Sequence, residues 1–216
     1  MFNSDIICDY PLEELKAYHK KNTAEGSIVL ATVQDPSRFG VVVSEPEGRV
    51  TAFVEKPTHF ISNKINAGVY LLNVSVLDRI PERFCMIEKE IFPQMAQEGA
   101  LYSLPLKNNF WFDIGKPEDY LLGQAAYLKF YTINSSNPHV GNVMVDSSSV
   151  IEEGCKIGPN VVIGPNVTVK KGTRLKDCTI VGHTVIGQNT YIENSIISWR
   201  CKVGSWVRIE GLTCIA

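Results

Sequence analysis

From Val145 onward an aliphatic side chain returns every sixth residue, at Val145, Ile151, Ile157, Ile163, Val169 and Leu175. After one step of five the series resumes at Ile180, Ile186 and Ile192, and after another at Ile197, Val203, Ile209 and Ile215. No helical stripe keeps such a period, because the neighbours on one helix face recur about every 3.6 residues. Three short strands per turn of a parallel β-helix do keep it, with one aliphatic pointing inward from each face and a small residue at each corner. Gly158, Gly164, Gly187 and Gly204 each follow one of the aliphatics, and I-G-P-N-V-V-I-G-P-N-V-T is the clearest stretch. One coil cannot stand alone: a buried aliphatic contributes about 1.5–3 kcal/mol, whereas ordering costs about 1–2 kcal/mol for every backbone residue. Coils must therefore stack and be capped, and because the repeat runs to the last residue the chain is expected to be cut there.

The first part, 1–133, follows other periods. Pro11 opens a segment with Leu12, Leu15 and His19 on one face, acidic residues early and lysines late, which predicts a helix over 11–22. β-Branched and aromatic runs predict strands over 27–33, 39–44, 49–55 and 65–72. Pro93 is expected to start a short helix that Gly99 stops, and Pro117 a longer one, with Leu121, Ala125 and Leu128 at helical spacing, ending near Tyr131. Mixed strands and helices make this an α/β layered domain. The polar segment 134–142, which holds Pro138 and Gly141, reads as a linker, and the β-helix occupies 143–216.

With 21 basic and 23 acidic residues the net charge is -2, so no electrostatic ground exists for a nucleic-acid or membrane-surface partner. No apolar run reaches the roughly 20 residues of a membrane helix, and no secretion signal is visible at the N-terminus. Six cysteines without a C-x-x-C pair read as reduced thiols and point to the cytoplasm.

Several residues have the chemistry for a site. Asp5, in F-N-S-D, and Asp113, in F-W-F-D-I-G, are each expected at the end of a strand, where open α/β sheets bind ligands, and two carboxylates there suit Mg2+. Each is equally the kind of residue that caps a turn. Glu55 and Lys56 close the strand R-V-T-A-F-V-E-K-P: the lysine offers a point charge to a phosphate and the glutamate two acceptors to sugar hydroxyls, while an exposed salt-bridged strand end explains the pair as well. Asn66 and Gly68, in I-N-A-G-V-Y, allow close approach of a ligand or mark a β-bulge. His183 raises an acyltransferase alternative, with the histidine as general base between coils, against the plainer reading of an exposed corner. Trp199 and Trp206 read as packing or interface residues. No two of the 16 glycines are separated by a single residue, so no glycine-rich loop is present to cradle phosphates.

In order, F-N-S-D-I-I-C-D, F-G-V-V-V, F-V-E-K-P, S-N-K-I-N-A-G-V-Y, I-E-K-E-I-F-P and F-W-F-D-I-G-K-P-E-D-Y-L precede the hexapeptide repeats. This ordered set resembles the GDP-mannose pyrophosphorylases (mannose-1-phosphate guanylyltransferases) of the eukaryotic catalytic type, over essentially the whole chain. The resemblance implies a partial Rossmann-like, GT-A-like nucleotidyltransferase domain followed by a left-handed parallel β-helix. It implies transfer of a guanylyl group from GTP to mannose 1-phosphate with Mg2+, giving GDP-mannose and diphosphate. It also implies that Asp5 and Asp113 bind the metal, Lys56 the sugar phosphate, Glu55 and Asn66 the sugar hydroxyls, and that Gly40 makes a backbone contact. A homo-oligomer, or a complex with a regulatory paralogous subunit, is the implied assembly, and a noncatalytic regulatory paralogue is the alternative reading. Family members open with a G-G-x-G-T-R-L loop and a P-K-P segment, and this chain starts after both. The expectation is a fragment, inactive alone in releasing pyrophosphate.

Overall fold

The structure, a computed structural model, describes residues 1–108, 110–131, 141–211 and 213–215. The expected linker over 134–142 falls, apart from 141–142, outside the described residues. Packing divides the chain into two compact units, Met1–Trp111 and Phe112–Ala216.

The first unit holds β1 (Ile6–Cys8), α1 (Leu12–Lys21), β2 (Gly26–Thr32), β3 (Gly40–Ser44), β4 (Val50–Glu55), β5 (Lys64–Leu72), α2 (Ile91–Gln97) and β6 (Leu101–Pro105). Strand β7 (Trp111–Asp113) straddles the division, and α3 (Pro117–Tyr131) lies beyond it. The expected strands form within a residue or two of their predicted ends. Helix α2 begins at Ile91, before Pro93, because proline is tolerated anywhere in a first turn where N–H groups have no helical partner. Gly99 does follow that helix with a left-handed φ of +70.

A five-stranded sheet runs β4-β3-β5-β2-β6, antiparallel except for the parallel pair β2 and β6. Both of its faces are covered, which is why β2 is buried without a break from Gly26 to Ala31. Alternate residues serve alternate cores. Ile28, Leu30, Val42, Phe53 and Tyr70 pack with Phe92 and Met95 of α2 on one face. Val29, Ala31, Val41, Ile65, Ala67 and Val69 pack with Leu15 of α1 and Ile6 of β1 on the other.

In the second unit the aliphatic series becomes three stacks. Val145 lies opposite Ile163, and Ile163 opposite Ile180, Ile180 opposite Ile197 and Ile197 opposite Ile215. A second stack is Ile151, Val169, Ile186 and Val203, and a third is Ile157, Leu175, Ile192 and Ile209. All of these pairings are parallel, and the coil advances eighteen residues where three sixes run together and seventeen where a step of five intervenes, as in Ile157–Leu175 and Leu175–Ile192. At each step of five the strand turns the corner unbroken, over Arg174–Ile180 and Tyr191–Ile197, with Asp177 and Asn194 in the left-handed region.

The corners depart from the expectation of small residues. One column is Gly154, Gly172, Asn189 and Trp206, and another is Asn166, His183 and Arg200, all with positive φ. Glycine, asparagine and histidine accept that region readily, whereas a bulky side chain held there costs of order 1–3 kcal/mol. Close stacking does demand a glycine at Gly187, where a Cβ would sit 2.4 Å from the Gly204 backbone. Helix α3 packs on the coil through Gln124, which is buried. Its Nε2 donates to the carbonyls of Asn160 (3.1 Å) and Cys178 (3.2 Å), and its Oε1 accepts from the Thr179 hydroxyl.

Candidate functional site

Strand order brings Glu55, Gly40 and Asn66 into one row at one end of the sheet. Val54 lies opposite Val41 and Val41 opposite Ile65, and one residue further on Gly40 lies opposite Glu55, with Asn66 on the far side of β3. Residues abreast of one another across a sheet point to the same side. That side is the one covered by α2, since Glu55 shares it with Phe53, and Asn66 shares it with Tyr70. Gly40 puts no side chain between them, and the Glu55 carboxylate occupies the space: a Cβ on Gly40 would lie 2.8 Å from Glu55 Oε2 and 3.0 Å from Phe53 Cζ. The Glu55 side chain is accordingly sheltered, at 16% exposure, while that of Lys56 stands in solvent at 66%. Their charged ends are 3.8 Å apart, a pairing worth about 0–1 kcal/mol that a phosphate can readily replace.

Lys56 ends β4 by turning into the left-handed region, with φ +49. Residues before proline favour extended backbone, so this conformation is held from outside. The holding contact is the Lys56 N–H donating to the Phe39 carbonyl at 3.2 Å.

Around Asn66 the β2–β5 ladder is irregular: Ile28 lies opposite Tyr70 but Leu30 opposite Asn66, so three residues of β5 face one of β2. The bulge expected from Asn66 and Gly68 is therefore present. Within it the Gly68 N–H donates to Asn66 Oδ1 at 3.1 Å, and Asn66 Nδ2 donates to the Tyr70 hydroxyl at 2.8 Å. The hydroxyl donates to Asn3 Oδ1 at 3.3 Å. The Ala67 carbonyl accepts from Trp111 Nε1 at 2.9 Å, and the Gly68 carbonyl from the Asn3 N–H at 2.8 Å. Asn66 is thus half-buried, oriented and satisfied on one side, with a second amide hydrogen for a ligand. The Tyr70 phenol is pushed up to about 12, chiefly by burial; its bonds with Asn66 and Asn3 oppose the shift, and the charges of Glu88 and Glu55 add to it.

The two aspartates stand elsewhere in the chain's organisation. Asp5 does not end a strand: an isolated bridge at Phe2 is followed by a turn at Ser4 and Asp5, and β1 begins only at Ile6. Asn3, Ser4 and Asp5 are turn-forming residues, which break the extended run that Phe2 begins. Asp113 does end β7, and its Oδ1 accepts the Gly115 N–H at 3.0 Å, a local turn that leaves Oδ2 open. Asp113 belongs to the second compact unit and the Glu55–Asn66 row to the first. Among the described residues no group of three or more His, Cys, Asp and Glu gathers as it would for a fully protein-built metal site.

His183 occupies a corner with φ +61 and is exposed, as the plainer reading expected. Trp199 and Trp206 are 68% and 76% exposed and pack in no core. The cavity of about 320 Å³ in the first unit, lined by Tyr18, Glu45, Gly48, Lys64 and Ser103, touches none of the candidate residues. A smaller one of about 190 Å³ is lined by Asp35, Pro36 and Ser37 and by Pro57, Thr58 and Phe60, which follow Lys56. The Glu55–Gly40–Asn66 row, unlike either cavity, gathers candidate polar groups on one face of the sheet. The supporting residues Asn3, Phe39, Tyr70, Glu88 and Trp111 were missed from the sequence. Only Tyr70 carried a signal there, four places after Asn66 and next but one to Gly68.

Comparison with known proteins follows the same division of the sequence. The family model described as nucleotidyl transferase matches residues 1–129, and one described as the GMPPB C-terminal domain matches 139–216. Helix α3 thus falls largely with the first family by sequence, although by packing it goes with the coil. Among curated proteins, the chain is 49% identical over 222 residues to a probable mannose-1-phosphate guanylyltransferase 2 of Arabidopsis thaliana, covering 100% of this chain and 61% of the relative. It is 47% identical over 224 residues to the mannose-1-phosphate guanylyltransferase catalytic subunit beta of Xenopus tropicalis, again 100% of this chain and 61% of the relative. To a probable mannose-1-phosphate guanylyltransferase 3 of Arabidopsis thaliana it is 49% identical over 225 residues, 100% of this chain and 67% of the relative. The chain spans about three fifths of the length of most of these relatives.

Proposed function

The chain belongs to the nucleotidyl transferase family, and on that premise we propose that it carries the sugar-phosphate side of a mannose-1-phosphate guanylyltransferase. The reaction joins GTP and mannose 1-phosphate into GDP-mannose and diphosphate. The observation that carries this reading is the sheltered Glu55 carboxylate laid over Gly40 beside Asn66, with the solvent-exposed amine of Lys56 one residue on.

In this reading the Lys56 ammonium takes the phosphate of mannose 1-phosphate as a point charge. Glu55 accepts from two sugar hydroxyls, and Asn66 adds a donor from its second amide hydrogen. The Gly40 backbone allows the ring to approach where any side chain would intrude. The bound sugar phosphate presents one phosphate oxygen to the α-phosphorus of GTP. That oxygen forms the new P–O bond as the bond to the leaving diphosphate breaks, in line and without a protein-bound intermediate, so what the protein supplies is positioning and charge. For a divalent cation, Asp5 and Asp113 are each taken as a hard oxygen donor that suits Mg2+: Asp5 is exposed, and Asp113 keeps one carboxylate oxygen outside its turn. When bound, such an ion neutralises charge on the phosphates.

Cys8, Cys85, Cys155 and Cys178 are free thiols, which supports a reducing compartment, the cytoplasm. No described helix is long and apolar enough to cross a membrane. We assign a homo-oligomer, or association with a paralogous regulatory subunit, as the assembly by analogy with the family. Calorimetric titration of the chain with mannose 1-phosphate, GDP-mannose and acetyl-coenzyme A tests the function. Binding of the two mannosyl compounds, weakened but still measurable in Lys56→Ala, is expected; binding of acetyl-coenzyme A alone would replace this reading with the acyltransferase one.

A further inference from the structure

Lys56 is held in a backbone conformation that neither lysine nor the proline after it favours. Such strain persists only where neighbours over-determine it. Its amide is bonded to the Phe39 carbonyl, and Phe39 is itself fixed twice. The Phe39 N–H donates to the Pro36 carbonyl at 3.0 Å, closing a turn, and the Phe39 ring meets Trp111 edge-on, with centroids 5.3 Å apart and planes at 86°. Trp111 in turn is anchored by its indole N–H on the Ala67 carbonyl, inside the bulge that orients Asn66. Both rings are half-buried against the core on the α1 face of the sheet. One aromatic pair thus ties the end of β4 to the bulge of β5, across the strand between them.

We propose that the Phe39–Trp111 pair is a positioning clasp that aims Lys56 at the phosphate of a hexose 1-phosphate and keeps it in register with Asn66. The proposal rests on the sugar-phosphate reading above. Neither ring need touch the ligand. Without the clasp the Phe39 carbonyl shifts, Lys56 relaxes to the extended backbone usual before proline, and its amine swings away from the Glu55–Asn66 row.

The test is a double-mutant cycle on the 216-residue chain, read by calorimetry with mannose 1-phosphate. Phe39→Leu is expected to weaken binding roughly three- to tenfold, the range an aromatic pair supports, with Trp111→Phe intermediate because it keeps the ring and loses only the anchor. In a Lys56→Ala background Phe39→Leu is expected to cause no further loss. Full, independent losses in both backgrounds would mean that the pair merely stabilises the fold, and would overturn the proposal. Amide hydrogen exchange gives a readout that needs no ligand: Phe39→Leu should speed exchange at Lys56 while leaving Asn3, bonded to Gly68, unchanged. Unchanged exchange at Lys56 overturns the clasp whatever binds. Accelerated exchange at Lys56 in a chain whose wild type ignores mannose 1-phosphate keeps the clasp and sinks the substrate reading instead.

Discussion

Replacing Gly40 by alanine adds one methyl group at the point where the Glu55 carboxylate rests. That methyl would stand 2.8 Å from Glu55 Oε2 and 3.0 Å from Phe53 Cζ, both too close to be tolerated without movement. The two neighbours differ in their freedom. Phe53 is 5% exposed and its ring lies 5.4 Å from that of Phe92, so it can yield by only a few tenths of an ångström. The Glu55 carboxylate is the far end of a flexible side chain and can move at lower cost. The variant is therefore expected to relieve its clash chiefly by expelling Glu55, losing about 1 kcal/mol of stability, the low end for overpacking. For a chain of this size that shift is about 2–4 °C in Tm. Binding should suffer more, because the charged acceptor proposed for the sugar hydroxyls is displaced: hydrogen bonds to charged groups are worth about 1.5–3 kcal/mol, or roughly ten- to a hundredfold in Kd. Calorimetry with mannose 1-phosphate beside a thermal melt separates the two effects, and Glu55→Gln should reproduce much of the binding loss without the melting shift. Unchanged affinity in Gly40→Ala, with Tm lowered as expected, would show that Glu55 touches no ligand and would refute the reasoning that makes this row the site.

Other outcomes follow from the same contacts. Gly187→Ala drives a Cβ to 2.4 Å from the Gly204 backbone, which no side-chain rotation relieves, so a loss of several kcal/mol or failure to fold is expected in chemical denaturation. Ile186→Ala, at a position with no exposure between Val169 and Val203, should cost about 2–5 kcal/mol through the cavity it leaves. Gln124→Ala strands the Thr179 hydroxyl and two carbonyls and is expected to cost about 1–3 kcal/mol and to open α3 to limited proteolysis. Tyr70 makes an alkaline prediction: its folded pKa is raised to about 12, above the ordinary value of 10.0, so the unfolded chain releases the proton first. Stability is then complete below about pH 10 and falls as pH rises toward 12. Tyr70→Phe should soften that decline in pH-dependent melts, while costing about 1 kcal/mol at neutral pH for the lost bond with Asn66.

Much of the molecule is legible in the order of its residues. The six-residue count, including its two steps of five, already contained the pairing of every stack in the coil, because each inward position reappears three places later in the series. Strand positions 27–33 and 65–72 were readable from β-branched runs, and the bulge at Asn66 and Gly68 from the amide and glycine that interrupt an apolar strand. Such features are periods and local propensities, which the chain carries in its own order. Tertiary structure decided what depends on lateral register and on groups far apart in sequence: that Gly40 separates Glu55 from Asn66 on one face, that Tyr70 turns its hydroxyl to Asn66 and Asn3, and that Phe39 holds Lys56 in a left-handed turn. It also decided that Arg200 and Trp206 would take corners where small residues were expected, and that α3 would seat its glutamine on the coil. A linear pattern specifies which side of a strand a residue faces, but which neighbour shares that side is fixed only when strands distant in the chain come to lie abreast.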